Sequence, residues 1–436
     1  VTVRATDTSS YITDQTVTII VDDVEEINQD WRRIGNTIAG EAVGDNSGSS
    51  VSISDDGSVV AIGAWGNDEN GYNSGHVRIH KNDNGIWEKI GNDIDGEAGG
   101  DFFGSSVALS SDGSVVAIGA WGNDENGFNS GHVRIYRNND GTWQPIGGHI
   151  KGETERGEFG RSVSLSSDGS LVGIGVPGGA SNHLMSSGHA VVYKNVNDNW
   201  EQVGDHIIPP GHAETVINSG FSVNLSSNGN VIAVGSPGSG SVSIYQNVDD
   251  NWEQVGDHIY GEAILDGDSR WEEDNNSNGH ESAGYSVSLS ADGTIVAIGD
   301  IHNDGEGEDV FSTTEEGYER KIAGNSGHVR VYQNINGTWT QLGSDIDGIS
   351  DGDESGFSVS LSEDGTKVAI GAPTKLFLNE IQMGEDPRSG YVKVYQIDLD
   401  KTAPSILGPS GDAGASTSIK SINENSTAVH TFSANE

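Results

Sequence analysis

The sequence predicts an all-β fold, a six-bladed β-propeller of four-stranded antiparallel blades. Three observations carry that prediction. A phrase of the form SVSLS recurs six times, centred on Val51, Val107, Val163, Val223, Val287 and Val359, at spacings of 56, 56, 60, 64 and 72 residues. Each recurrence is followed by the same succession of short apolar runs and Gly/Asn/Asp turns. A Trp-led segment also recurs, at Trp31, Trp87, Trp143, Trp200, Trp252 and Trp339. Self-similarity at such a period means a solenoid, a propeller or an array.

The second repeat shows the elements in order. SVALS is a first strand, the Asp112-Gly113 pair signals a hairpin, and VVAIGA is the second strand. GHVRIY alternates Val133 and Ile135 with Arg134 and Tyr136, the period-2 pattern of a half-buried third strand. An Asn/Asp/Gly turn then introduces Trp143 and the fourth strand, WQPIG. Residues 56–79 and 112–135 are identical apart from Tyr72 against Phe128. The first Trp segment precedes every SVSLS strand, and the last unit, ending in YVKVYQ, has no Trp segment after it. Six inner strands and six Trp strands balance if Trp31–Gly35 pairs with the last blade, which closes the ring and removes exposed edges. The Trp series reads as packing between neighbouring sheets. His76, His132, His189 and His328 each follow a Gly at the start of the third strand, while Ser241 and Tyr391 stand there in blades 4 and 6. They read as a repeated strand residue.

Composition narrows the function. The 436 residues carry 22 basic and 66 acidic side chains, a formal net charge of −44. Nucleic-acid binding needs clustered Lys and Arg, so that class is set aside. No run approaches the ~18 apolar residues of a membrane helix, so membrane insertion is not expected. With no Cys, disulfide frameworks, thiol nucleophiles and Cys-ligated zinc are excluded. The acidity favours solubility in salt and divalent cations, and an extracellular, calcium-containing setting is expected.

The phrases FGSSVALSSDGSVVAIGA (103–120) and FGRSVSLSSDGSLVGIGVPG (159–178) resemble the FG-GAP repeat, which builds the propellers of integrin α-subunits and many bacterial surface proteins. The "FG" is Phe103-Gly104 and Phe159-Gly160, with Gly220-Phe221, Gly284-Tyr285 and Gly356-Phe357 in other blades. The "GAP" is Gly371-Ala372-Pro373, with GVP at 175–177 and GSP at 235–237. The resemblance spans residues 28–398. The calcium loop of integrin-type repeats is shortened here to a tight Ser-Asp-Gly turn at Asp56, Asp112, Asp168, Asp292 and Asp364, with Asn228 in blade 4. One carboxylate cannot supply the six to eight oxygens of a calcium site, and turn chemistry explains the pair. NDNGIW, NNDGTW and NINGTW are similar to the Asp-box turn of sialidase-type propellers, a structural motif.

The ends differ from the repeat. Residues 1–27 resemble the last strands of a cadherin-like domain, and Asp7, Asp23 and Glu26 fall on that family's calcium-ligand positions. A Pro/Gly/Ser linker follows the propeller at 399–420. Residues 421–436 are similar to the first strand of another cadherin-like or Ig-like domain, with Glu424 as its leading calcium ligand. The cadherin-like resemblance implies calcium as the cofactor at interdomain sites, and the acidic loops of the propeller are candidates for further calcium sites.

Long and variable connections fall on one face, where binding usually resides. In blade 5, 265–281 gathers acids around Trp271, Glu272 and Glu273, and 304–321 adds seven more, beginning with Asp304. The GNDENG loops contribute Asp68, Asn70, Asp124 and Asn126, and the GExxGD turns contribute Glu41/Asp45 and Glu97/Asp101. No blade-specific set breaking the repeat at the axis stands out, with no Arg trio and no nucleophile elbow. The leading expectation is therefore a non-enzymatic extracellular adhesion or recognition module. It would meet a polysaccharide or surface protein through the acidic face, with adjoining cadherin-like domains and a monomeric propeller. The alternatives are a carbohydrate-active enzyme using blade-5 carboxylates and a passive spacer.

Overall fold

In the computed structural model, the structure describes residues 35–178, 188–209, 218–261, 282–302, 310–314, 317–321, 326–349, 352–373 and 391–397. They lie within one compact unit, Gly35–Ile397; the remaining unit, 1–34 with 398–436, lies outside the described residues. The fold is a six-bladed β-propeller of antiparallel sheets. Blade 1 runs Ser50–Ile53, Val59–Ala64, His76–Asp83 and Ile86–Lys89 from the inside outwards, each strand antiparallel to the next. The inner strands of the next five blades are Ser106–Leu109, Val163–Leu165, Ser222–Leu225, Ser286–Leu289 and Ser358–Leu361.

Among the described residues, blades 1, 2, 4 and 5 have more than the four strands their sequence suggests. Two-residue strands, Ile94–Asp95, Ile150–Lys151, Ile259–Tyr260 and Ile346–Asp347, pair with the first two residues of the third strand, while the Trp strand pairs with its last four. The outer edge is thus shared by two short segments. In blade 3 the same contact is a single bridge, Ala190↔Ile207.

The third strand is not half-buried. His132, Val133, Ile135 and Tyr136 are all buried, because a blade in a ring has a neighbour on both faces. The apolar core is accordingly divided into layers between blades. One layer joins Ala61, Val77 and Ile79 of blade 1 to Val107, Val116 and Ile118 of blade 2, and three further layers join blades 2 to 3, 3 to 4 and 4 to 5. The Trp residues belong to these layers. The indole N–H groups of Trp143, Trp200, Trp252 and Trp339 donate to Ile90 O, Ile146 O, Val203 O and Val255 O of the preceding blade at 2.8–3.1 Å.

At the end carrying the Ser-Asp-Gly turns, backbone hydrogen bonds run from blade to blade. The amides of Asp55, Ser111, Ser167, Ser227 and Ala291 donate to the carbonyls of Ser111, Ser167, Ser227, Ala291 and Glu363 at 2.8–2.9 Å. At the sixth step the Glu363 carboxyl shares a hydrogen bond with Asp55, which holds Glu363 above the usual carboxylate range. Within each turn the Asp accepts from the Ser two residues before and the amide two residues after: Asp112 Oδ1 takes Ser110 Oγ at 2.8 Å and Ser114 N at 2.9 Å. Asn228 does the same with Ser226 and Asn230, so the job needs an oxygen acceptor rather than a charge. Turn chemistry accounts for these residues, as their sequence implies.

The seam between blades 6 and 1 is different. Val51 is 63% exposed, whereas its counterparts Val107, Val223 and Val287 are 6–9% exposed. Trp31, assigned to the closing strand, lies outside the described residues. Gly35, at the end of that strand, rests against blade 1 at Gly85 O and Trp87, as Gly91 rests on Gly141 O and Trp143.

Candidate functional site

The two long connections of each blade do share a face. Parallel bridges tie the end of the second-to-third loop to the crossover entering the next blade: Gly75↔Phe103, Gly131↔Phe159, Gly188↔Ser219 and Gly327↔Ser355. The GNDENG side chains singled out from sequence are engaged within the loop. Asp68 Oδ1 and Asp124 Oδ1 accept from Asn73 N and Asn129 N at 2.8 and 2.7 Å. Asn70 and Asn126 donate to Gly96 O and Gly152 O. Asp45 and Asp101 turn inward and accept from Ala42 N and Ala98 N, each at 3.1 Å. Glu41 and Glu97 reach across to Arg78 and Arg134 at 3.2 Å. Trp271, Glu272, Glu273 and Asp304, together with Asp7, Asp23, Glu26 and Glu424, lie outside the described residues. The second blade-5 insertion contains a hairpin, Val310–Thr314 with Gly317–Lys321, where a loop was expected.

The histidines at the third-strand start are more than strand residues. His76 and His132 are 0% and 1% exposed, and neither ring nitrogen of either has a hydrogen-bond partner. A buried polar group left unpaired costs ~1–3 kcal/mol. In blades 1 to 5 the strand-start position is followed, 17 residues on and 6 past the Trp, by a second donor residue: Asp93, His149, His206, His258 and Asp345. His132 and His149 stand 5.1 Å apart between ring centroids, and His189 stacks on His206 at 4.5 Å and 7°. In blade 4, where Ser241 replaces the histidine, His258 Nδ1 bonds Ser243 Oγ at 2.6 Å. The constant 17-residue spacing was the signal available in the sequence.

Burial, reinforced by His206, pulls His189 down to about 4. Its folded pKa lies below the unfolded value, so the unfolded chain takes up the proton first. Stability is therefore full above about pH 6.5 and falls as the pH drops towards 4, by about 2–3 kcal/mol for this residue. Urea midpoints recorded between pH 7 and 4.5 should show a shallower decline in His189→Gln than in the parent chain; equal slopes would contradict the assignment.

A second group lies where the inner strands begin. The residues just before or at that point are Ser49, Ser105, Arg161, Phe221, Tyr285 and Phe357 in blades 1 to 6. In blades 2 and 3 the aromatic precedes the Gly, and Phe103 and Phe159 are buried between blades. In blades 4 to 6 it follows the Gly. Ser219, Ala283 and Ser355 take the buried position, and the ring is displaced to the strand entrance. Gly220-Phe221 and its counterparts are therefore not the FG pair shifted in name alone. Their rings meet across blades, Phe221–Tyr285 at 4.9 Å and Tyr285–Phe357 at 5.1 Å. Arg161 continues the arc, its guanidinium 5.2 Å from the Phe221 ring and 5.3 Å from Trp121. Trp121 stacks on Phe102 at 4.5 Å and 5°, and Phe102 meets Trp65 edge-on at 5.7 Å. One position at the start of the inner strand thus differs from blade to blade, and in blades 3 to 6 its side chains meet across the blades.

Residues 38–79 and 94–136 match the FG-GAP repeat. No curated protein matches the chain. Solved structures with a similar fold include a protein described as a 6-phosphogluconolactonase from Bacteroides uniformis ATCC 8492, at 12% identity, covering 81% of this chain and 86% of that one with a TM-score of 0.46. The periplasmic gluconolactonase PpgL of Pseudomonas aeruginosa is similar at 13% identity over 80% and 84%, TM-score 0.45. Hydrazine synthase of Kuenenia stuttgartiensis matches at 13% over 78% of each chain, TM-score 0.45. Likeness at this level brings neither lactonase nor synthase chemistry with it.

The expected adhesion module is corrected by these findings. The match to the repeat covers blades 1 and 2, not the flanks, and the structures similar in fold, two of which are described as gluconolactonases, give adhesion no support. The acidic blade-5 loops and the cadherin-like ends that motivated adhesion lie outside the described residues. Asp68 and Asp124 of the GNDENG loops are held by hydrogen bonds within the loop.

Proposed function

We propose that this propeller binds a small ring-shaped organic acid, of the uronic acid type, at the entrance formed by the starts of the inner strands. One observation carries the reading. Arg161 is half-buried with aromatic rings against it, yet among the described residues its guanidinium has no carboxylate partner, in a chain of net charge −44. Arg78, Arg134 and Arg137 pair with carboxylates of the chain, whereas Arg161, lying between two aromatic rings, does not. Here its planar donors are left for an incoming anion, which a guanidinium takes bidentately. The Phe221, Tyr285 and Phe357 rings supply faces on which the C–H side of a sugar ring packs, and Ser49 and Ser105 add hydroxyls on the other part of the entrance. The cadherin-like flanks, with calcium at Asp7, Asp23, Glu26 and Glu424, would set this propeller in an extracellular chain.

Titration calorimetry with galacturonate and with galactose tests the proposal. Galacturonate should bind more tightly than galactose, and Arg161→Gln should remove about 10–100-fold of that affinity, the worth of a charge-assisted pair. Equal affinity for acid and neutral sugar, or an unchanged constant in Arg161→Gln, would overturn it.

A further inference from the structure

The unpartnered histidines carry a separate inference, independent of the entrance. The donor atoms of Glu125, His132 and His149 all lie within 4.8 Å of one another. Three different elements bring them together: Glu125 from the GNDENG loop, His132 from the start of the third strand, and His149 from the turn before the short fifth strand. His132 is 1% exposed with neither ring nitrogen bonded, while the side chains of His149 and Glu125 are 28% and 41% exposed. Glu125 Oε2 stands 3.6 Å from His149 Nδ1, and Glu97 Oε1 stands 3.7 Å from His149 Nε2. In blade 1, Glu41, His76 and Asp93 also hold their donor atoms within 4.8 Å of one another, again with a buried, unpartnered histidine, but Glu41 is the counterpart of Glu97, and Glu69 that of Glu125.

We infer that Glu125, His132 and His149 form a site for a borderline divalent transition metal, of which Zn²⁺ is the representative, with one coordination position left to solvent. Two imidazoles and a carboxylate are the donor set of an open three-ligand zinc site. Calcium and magnesium want six or more oxygens and are poorly served by imidazole. The site therefore differs in chemistry from the calcium expected of the repeat's relatives. A metal also gives the lone-pair nitrogen of His132 a partner, which nothing else in the described structure supplies.

The surroundings define what binding must change. Ligand atoms around Zn²⁺ sit about 2.0–2.2 Å from it, so the three donors must close up on the ion from their present spacing. Glu125 is now held outward by Lys151 Nζ at 2.5 Å, and must leave that contact. Lys151 is thus a competitor, while Arg134, paired with Glu97, keeps that carboxylate turned away. In blade 1 an aspartate replaces the second imidazole, and Lys89 and Arg78 hold Asp93 and Glu41 at 2.5 and 3.2 Å, so both carboxylates have a competing cation. One imidazole with two carboxylates is the poorer set for Zn²⁺ and should fill second.

The test uses the full chain with Zn²⁺ and with Co²⁺ as a spectroscopic probe, in the presence of millimolar Ca²⁺. One ion should bind tightly, a second more weakly, and Co²⁺ should develop the visible absorption of a four-coordinate site. His149→Gln and Glu125→Gln change partly exposed side chains and leave the buried strand intact. Each should weaken the first ion by 10-fold or more, whereas Lys151→Ala should strengthen it. His76→Gln should abolish the second ion alone. Loss of all Zn²⁺ binding to excess Ca²⁺ would assign it to the acidic surface and overturn the inference, as would unchanged affinity in both His149→Gln and Glu125→Gln. A Co²⁺ complex with the spectrum of the hexaaqua ion would overturn it as well.

Discussion

Gly175→Ala should destabilise the propeller by on the order of 3 kcal/mol or more, the upper end of what overpacking a fixed core costs. Gly175 sits in the second strand of blade 3, and a Cβ added there would lie 1.9 Å from the carbonyl oxygen of Gly220 in blade 4 and 2.3 Å from Ser162 Oγ. The hydroxyl could rotate away, but the carbonyl is backbone and is itself bonded by Ser162 Oγ at 3.1 Å. The blades must then part, which opens the apolar layer between them. The same approach recurs at Gly63, Gly119, Gly235 and Gly299, with carbonyls 2.0–2.2 Å from the added atom. The repeat's Gly in AIGA is therefore explained by how closely one blade lies on the next. Gly148→Ala, where nothing lies within 4 Å, serves as the control and should be neutral. Urea denaturation of the three chains reads the difference, and a Gly175→Ala midpoint equal to the parent's would show that the blades tolerate separation.

Trp200→Ala should cost about 3–5 kcal/mol, as removal of a large packed aromatic does. Trp200 packs on the layer that joins blades 2 and 3, against residues such as Ile146 and Ile150, and its indole N–H donates to Ile146 O at 2.9 Å. Trp200→Phe keeps much of the ring and loses the hydrogen bond, so it should cost about 1–2 kcal/mol. Thermal or urea unfolding of the pair separates the contributions. If the two substitutions cost the same, the hydrogen bond rather than the packed ring anchors the blade.

Much of this fold was legible because each blade solves the same packing problem with the same letters. The Asp-Gly hairpin, the Trp strand and the Gly of AIGA each announce a local requirement, and the structure meets it six times over or nearly so. What the sequence concealed depends on neighbours. The third strand reads as half-buried because alternation reports one sheet, not the two blades flanking it. The fifth strand has only two residues, too few for a periodic signal. The pairing of His132 with His149 needs the 17-residue spacing to be read across blades, since in one copy a lone histidine has no partner in sight. The shift from Phe159-Gly160 to Gly220-Phe221 looks like a permuted motif. In three dimensions it moves a ring from the layer between blades to the entrance at the axis. The candidate residues in blade 5 and at the two ends were chosen for their carboxylates, and charge alone gives no geometry.

The measurement that bears most directly on the entrance is a crystal structure of the chain grown with galacturonate. The account predicts the sugar ring against Phe221, Tyr285 and Phe357 with its carboxylate on the Arg161 guanidinium. A ligand bound elsewhere, or an entrance in which Arg161 is paired with a carboxylate of the chain itself, would contradict it.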